Sequence, residues 1–133
     1  MRKSVDVGVI NMGSSAIKGI LVIEQDPLRL SYYEKTLQEK GFNVFATMSI
    51  LSGLHIFQNN RDKIDVVVTE TNSPNEDGLT LESILHKDSP DLPLITLTNP
   101  RQGKSGFPTS ERIIATSYKV NDLLETIESL ADR

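Results

Sequence analysis

From Gly19 onward the sequence predicts an α/β fold, a parallel sheet covered by helices, and three observations carry the prediction. Short apolar runs alternate five times with longer stretches of helical period, the pattern left by strands joined through crossover helices. The strongest runs, such as Val66-Val67-Val68, are apolar throughout rather than alternating, as strands buried on both faces are. Several end in an acid or a hydroxyl residue, which puts polar chemistry at the carboxyl ends of the strands. A chain of 133 residues is enough for one domain with one core.

Gly19 to Ile23 reads as the first strand and ends at Glu24-Gln25-Asp26. Asp26 is a suitable N-cap, Pro27 fits a first helical turn, and Leu30, Tyr33 and Leu37 recur on one face before Gly41 stops the helix. Asn43 to Thr47 is a short second strand. A helix from about Ser49 follows, with Ile50, Leu54 and Phe57 on one face and Gly53 marking a close approach. Ile64 to Thr69 is β-branched almost throughout and reads as the third strand, ending at Glu70. The turn-forming loop Thr71 to Gly78 leads into a short helix carrying Leu79, Leu81, Ile84 and Leu85. Leu92 to Thr98 is strand four. Asn99 to Glu111 holds two prolines, two glycines and almost nothing apolar, so an irregular loop is expected there in place of a helix. Arg112 to Thr116 makes strand five, and Val120, Leu123, Leu124, Ile127 and Leu130 form the apolar stripe of a covering helix.

Composition removes several function classes. The 14 basic and 18 acidic side chains leave a net charge of −4, which argues against direct nucleic-acid binding. Without cysteine there is no thiol chemistry or Cys-based metal site, and His55 and His86 are too few for a His-rich one. His55 beside Leu54 and His86 at a helix end both read as structural. No apolar run is long enough to span a membrane, and Met1-Arg2-Lys3 is followed by Ser4-Val5-Asp6, where a signal peptide would be apolar. The expected compartment is the cytoplasm.

In an open parallel sheet the functional crevice lies beyond the carboxyl ends of the strands, here at Glu24, Gln25, Glu70, Thr98 and Thr116. LVIEQDP at residues 21–27, DVVVTETNSPNEDG at 65–78, LPLITLTN at 92–99 and YKVNDLLETIESL at 118–130 resemble LVVDDDP, DLVLLDINMPGMDG, IPVIMLTA and FDLDELLERIRAL of the receiver domains of two-component response regulators. The resemblance covers roughly 115 of 133 residues, from Gly19 to the end. It implies a three-layer, flavodoxin-like fold with sheet order 2-1-3-4-5 and a receiver-like domain at 19–133. Residues 1–18 are then an N-terminal extension or an extra edge strand. It also implies phosphorelay chemistry, in which an aspartate ending strand three accepts a phosphoryl group from a histidine kinase, helped by magnesium, an acidic pair, a hydroxyl and a lysine.

This sequence departs from that pattern. Glu70 stands at the phosphoacceptor position, and an extra methylene displaces its carboxylate on a scale that matters for in-line transfer. The acidic pair is Glu24 and Gln25, and a neutral amide adds no charge for a hard cation. Thr116 stands at the lysine position, with Lys119 too far along to replace it. Thr98 keeps the switch hydroxyl and Tyr118 the aromatic position after strand five. The expectation is therefore a pseudo-receiver, non-catalytic, that works by binding other signalling proteins such as a histidine kinase or an output domain. Homodimerisation stays open, and with the fourth helix replaced by a loop no conventional output face is expected. No cofactor is expected beyond a weak magnesium or calcium ion at Glu24, Glu70 and Asn72.

Competing readings are a phosphorylation-competent switch and a standing mimicry of the phosphorylated state by Glu70. More simply, Glu24 is a solvated acid, Thr98 a hydroxyl satisfying its local backbone, and Tyr32, Tyr33 and Tyr118 packing residues with polar tips. Arg101, Lys104 and Arg112 form a basic loop cluster able to meet an anion. The segment VINMGSSAIKGILVI resembles the phosphate-binding hairpin of acetate-kinase-like and actin-like ATPases through Gly13-Ser14-Ser15, a remote alternative that ATP-dependent melting would reveal.

Overall fold

The structure, a computed structural model, describes residues 17–70, 84–98 and 113–131. Strands β1 (Gly19–Ile23), β2 (Asn43–Thr47), β3 (Val66–Glu70), β4 (Leu94–Leu97) and β5 (Ile113–Thr116) form one sheet. All four pairings are parallel, and the order is β2-β1-β3-β4-β5. Helices α1 (Pro27–Glu39), α2 (Ile50–Asn59) and α4 (Val120–Ala131), with a short helical stretch α3 at 84–88, connect and cover it. The result is the three-layer, flavodoxin-like order 2-1-3-4-5 expected from the sequence.

The strand period of two sorts the core into two layers. Ile20, Val22, Val66, Val68, Ile95 and Leu97 face Tyr33 and Leu37 of α1 and Leu123, Leu124 and Ile127 of α4. Leu21, Ile23, Val67 and Leu94 face Phe57 of α2 and Leu85 of α3. Two glycines set the spacing. A Cβ on Gly53 would stand 2.5 Å from Ile23 Cδ1, so α2 lies close to the sheet as expected. Gly41 ends the α1 region with φ +98°, a conformation L-residues adopt at a cost.

The main differences from the expected elements lie at strand starts. Strand three begins at Val66 rather than Ile64 because Arg61–Lys63 forms a 3-10 turn, and Asp65 turns its carboxylate to accept from Lys18 N at 2.7 Å and Gly19 N at 2.9 Å. Strand four begins at Leu94 because Pro93 has no N–H for the ladder; its carbonyl instead accepts from Val67 at 3.2 Å. The expectations for residues 1–16, for the loop with Asn72, and for the crossover with Arg101, Lys104 and Arg112 lie outside the described residues.

Asp26 caps α1 as predicted, its Oδ1 accepting from Leu28 N at 2.9 Å and Arg29 N at 3.2 Å. Asp26→Ala should lower folding stability by about 1 kcal/mol, measured by urea unfolding, with Asp26→Asn recovering most of the loss.

Candidate functional site

The register brings the carboxyl ends of β1 and β3 side by side, with Ile23 paired to Thr69, so the next residues, Glu24 and Glu70, meet above the sheet. Glu24 is fully buried. Its backbone N donates to Thr47 O at 3.0 Å, and its Oε2 accepts from Asp26 N at 3.0 Å. The Glu70 side chain is 7% exposed. Both expected acids are therefore together, but Glu24 is not the solvated acid of the simpler reading. Gln25 is exposed.

A residue that the sequence reading passed over stands between the acids. Arg29, on the first turn of α1, places Nε 2.9 Å from Glu24 Oε1. Its Nη2 lies 3.4 Å from Glu24 Oε2 and 3.4 Å from Glu70 Oε2. Its Cζ lies 4.3 Å from the centre of the Tyr118 ring, a cation–π distance. One signal was available in the sequence: a cation in the first turn opposes the helix dipole, so an arginine there needs an acidic partner, and Glu24 is five residues back.

These contacts set the protonation of the cluster. Burial would raise the Glu24 carboxyl, but hydrogen bonds from Arg29, with Glu70 and from Asp26 N–H, together with the guanidinium charge, hold it below the ordinary value. Glu70 is pushed up to about 7 by burial, by a hydrogen bond with Glu24 and by the Glu24 charge, as when two carboxyls share a proton. Tyr118 is pushed up to about 12 by burial, the Glu70 charge and a hydrogen bond to Glu70. Tyr33 is also raised, chiefly by burial, and its hydroxyl donates to Tyr118 O at 2.6 Å.

The remaining expected positions are placed as follows. Thr98 follows β4, and its backbone N donates to Thr116 O at 2.9 Å. Among the described residues its buried Oγ1 has no hydrogen-bond partner, and this does not match the simpler reading of a hydroxyl satisfying its local backbone. Thr116 Oγ1 accepts from Thr126 Oγ1 of α4 at 3.3 Å, a neutral tie where the family pattern has its lysine. Lys119 is exposed. His55 is exposed, and an imidazole nitrogen of His86 lies 3.1 Å from Leu92 O.

Magnesium, which the receiver resemblance implies, takes oxygen ligands in a near-octahedral shell at about 2.0–2.1 Å. A guanidinium within 2.9–3.4 Å of both carboxylates and a neutral, exposed residue at position 25 do not fit that requirement.

An open five-stranded parallel sheet with acids gathered at its carboxyl edge defines a receiver-like α/β domain. The family model of the response regulator receiver domain matches residues 20–125, and the chain belongs to that family. The Gly13-Ser14-Ser15 turn behind the ATPase alternative lies outside both that match and the described residues. A two-component response regulator of rice, ORR22, is 29% identical over 79 residues, 59% of this chain and 11% of the relative. The chain thus spans about a tenth of that relative's length. A response regulator receiver domain from Clostridium thermocellum superposes with a TM-score of 0.70 at 26% identity, covering 87% of this chain and 95% of that one. The response regulator TrrA of Thermotoga maritima, solved in complex with the histidine kinase ThkA, gives 0.68 at 22% identity over 85% and 97% of the two chains.

Proposed function

We propose that this receiver domain is a pseudo-receiver: it acts in two-component signalling by binding another signalling protein, a histidine kinase or an output domain, and catalyses no phosphoryl transfer to itself. The observation that carries the reading is the state of Glu70, whose carboxylate is engaged by Arg29 at 3.4 Å at a site where Gln25 and Thr116 stand in place of the second acid and the lysine. An in-line nucleophile must be ionised and aimed, with a misplacement of about 1 Å costing about 100-fold, and Glu70 is held on the side of the guanidinium. The same contacts argue against mimicry of the phosphorylated state, because a carboxyl pushed up to about 7 carries less than one full charge at neutral pH.

Exposed apolar surface supports a binding role. Leu28 is 82% and Leu51 67% exposed, with Tyr32 and Met48 also exposed. Leu28 stands in the first turn of α1, and Met48 and Leu51 stand at the start of α2, on the segments leaving the carboxyl ends of β1 and β2, and exposed apolar side chains there suit a protein partner. The cytoplasm is the compartment this reading assigns. Thr98 favours a second reading, a working phospho-switch, since its buried hydroxyl, without a partner among the described residues, is the kind of group a phosphoryl oxygen satisfies.

One experiment separates the two. Incubation with a small acyl phosphate donor and millimolar magnesium, followed by intact-mass measurement at neutral pH, should give no phosphoryl adduct. A stoichiometric adduct on Glu70 would replace the interaction reading with the switch.

A further inference from the structure

We infer that Arg29 is a tethered cation standing where the family pattern holds a divalent metal ion, so that the acidic pocket is partly neutralised from within and closed to magnesium. This rests on the reading of the chain as a receiver with an altered site. Three observations carry it further.

The guanidinium contacts both acids at once, with Nε 2.9 Å from Glu24 and Nη2 3.4 Å from Glu70. A cation bridging the two carboxylates would have to occupy that same space. Arg29 is also fixed from both ends. Its backbone N is held by the capping carboxylate of Asp26 at 3.2 Å, and the Tyr118 ring covers its guanidinium at 4.3 Å. Finally, the pocket offers a divalent ion one carboxylate fewer than the family pattern does. Gln25 contributes no charge, and Asp26 lies at the margin, 3.9 Å from Nη1, with its other oxygen committed to the helix cap.

A divalent ion entering the pocket would have to shed water and displace a cation already hydrogen-bonded to its ligands. Magnesium, which dehydrates reluctantly, is poorly suited to that exchange. The arrangement also means that Tyr118 is positioned by groups of the chain itself. Arg29 links the acids of β1 and β3 to the segment between β5 and α4.

The test is a manganese titration followed in a proton–nitrogen correlation spectrum, on the wild type and on Arg29→Met, which keeps the length of the side-chain stem and removes its charge. In the wild type the amides of Glu24, Gln25, Asp26 and Glu70 should keep their intensity at manganese levels that broaden them in Arg29→Met. The variant should bind manganese about tenfold or more tightly than the wild type, with the signals recovering under excess magnesium. Equal broadening in both proteins overturns the inference, and so does a folded Arg29→Met that gains no affinity. Should that variant not fold, the wild type alone decides. Its Arg29 Nε–Hε signal should stay in place in millimolar magnesium, and displacement of the signal overturns the inference. A phosphoryl adduct in the mass experiment sinks the interaction reading whatever the metal does, whereas manganese binding to the wild type without an adduct sinks only the role of Arg29.

Discussion

Arg29→Met is expected to lower folding stability by about 2–3 kcal/mol near neutral pH, because it leaves Glu24 ionised and fully buried with no cation beside it. Breaking a buried pair costs more than the pair contributes, since the remaining charge keeps its desolvation penalty. The expected loss lies below the usual range for a fully buried pair because the Arg29 side chain is 32% exposed, and water reaching the vacated space relieves part of the charge. Two controls distinguish this cause from lost packing. The penalty should shrink as the pH falls and Glu24 takes up a proton, and the double variant Glu24→Gln/Arg29→Met should recover most of the stability lost in the single one. Urea unfolding at neutral and acidic pH measures both. A pH-independent loss, unrelieved in the double variant, would assign the effect to the methylene stem.

Glu70 makes the second large prediction, in the opposite direction of pH. Its carboxyl has an ordinary value of 4.5 and is raised to about 7 in the fold. Between those values the folded protein holds a proton that the unfolded chain has released, so this group's contribution is fully present below about 4.5 and is lost as the pH rises to about 7. The wild type should therefore lose up to about 3 kcal/mol from this source between pH 5 and 8. Glu70→Gln, an isostere of the protonated acid, should match the wild type near pH 5 and exceed it by about 1–3 kcal/mol at pH 8. Thermal melts of the two proteins across that range check the sign. Parallel curves would mean that Glu70 titrates as an exposed acid does. Glu24 contributes with the opposite sign and at lower pH, since its carboxyl is held below 4.5, so the pair favours the fold most at mildly acidic pH.

Most of the fold was legible because it is written in residue type at single positions. The β-branched run at 66–68 makes a strand in any register, Asp26 and Ser49 cap their helices through their own side chains, and Gly53 leaves room that only a glycine leaves. Glu24 and Glu70 could be placed together because parallel strands deliver their carboxyl ends to one edge. The strand starts were less legible. Whether Ile64-Asp65 continues a strand depends on where the Asp65 carboxylate finds donors, and these lie at Lys18 and Gly19, nearly fifty positions away in sequence.

Arg29 was missed for a related reason. Helical periodicity marks the apolar face of α1 through Leu30, Tyr33 and Leu37 and leaves every charged residue of that helix on the remainder. It cannot tell an arginine pointing to solvent from one folded back over the strand end. Tyr118 was read as the aromatic position after strand five or, more simply, as packing, and neither reading includes its contact with Arg29. Its ring also covers a charge carried by α1, and the contact forms because α1 and the segment leading into α4 pack over the same face of the sheet.

The central claim, that Glu24, Glu70 and Arg29 form an internally ion-paired cluster closed to phosphoryl chemistry, is tested most directly by one spectrum. Beryllofluoride with magnesium imitates an acyl phosphate on a competent receiver carboxylate, and the amides of Glu24, Glu70, Thr98, Thr116 and Tyr118 report on the site from all of its elements. Their proton–nitrogen signals should stay in place when both reagents are added at neutral pH. Concerted displacement of these signals, saturating with one equivalent bound, would show that the carboxylate and the Thr98 hydroxyl still accept a phosphoryl group, and would contradict the account.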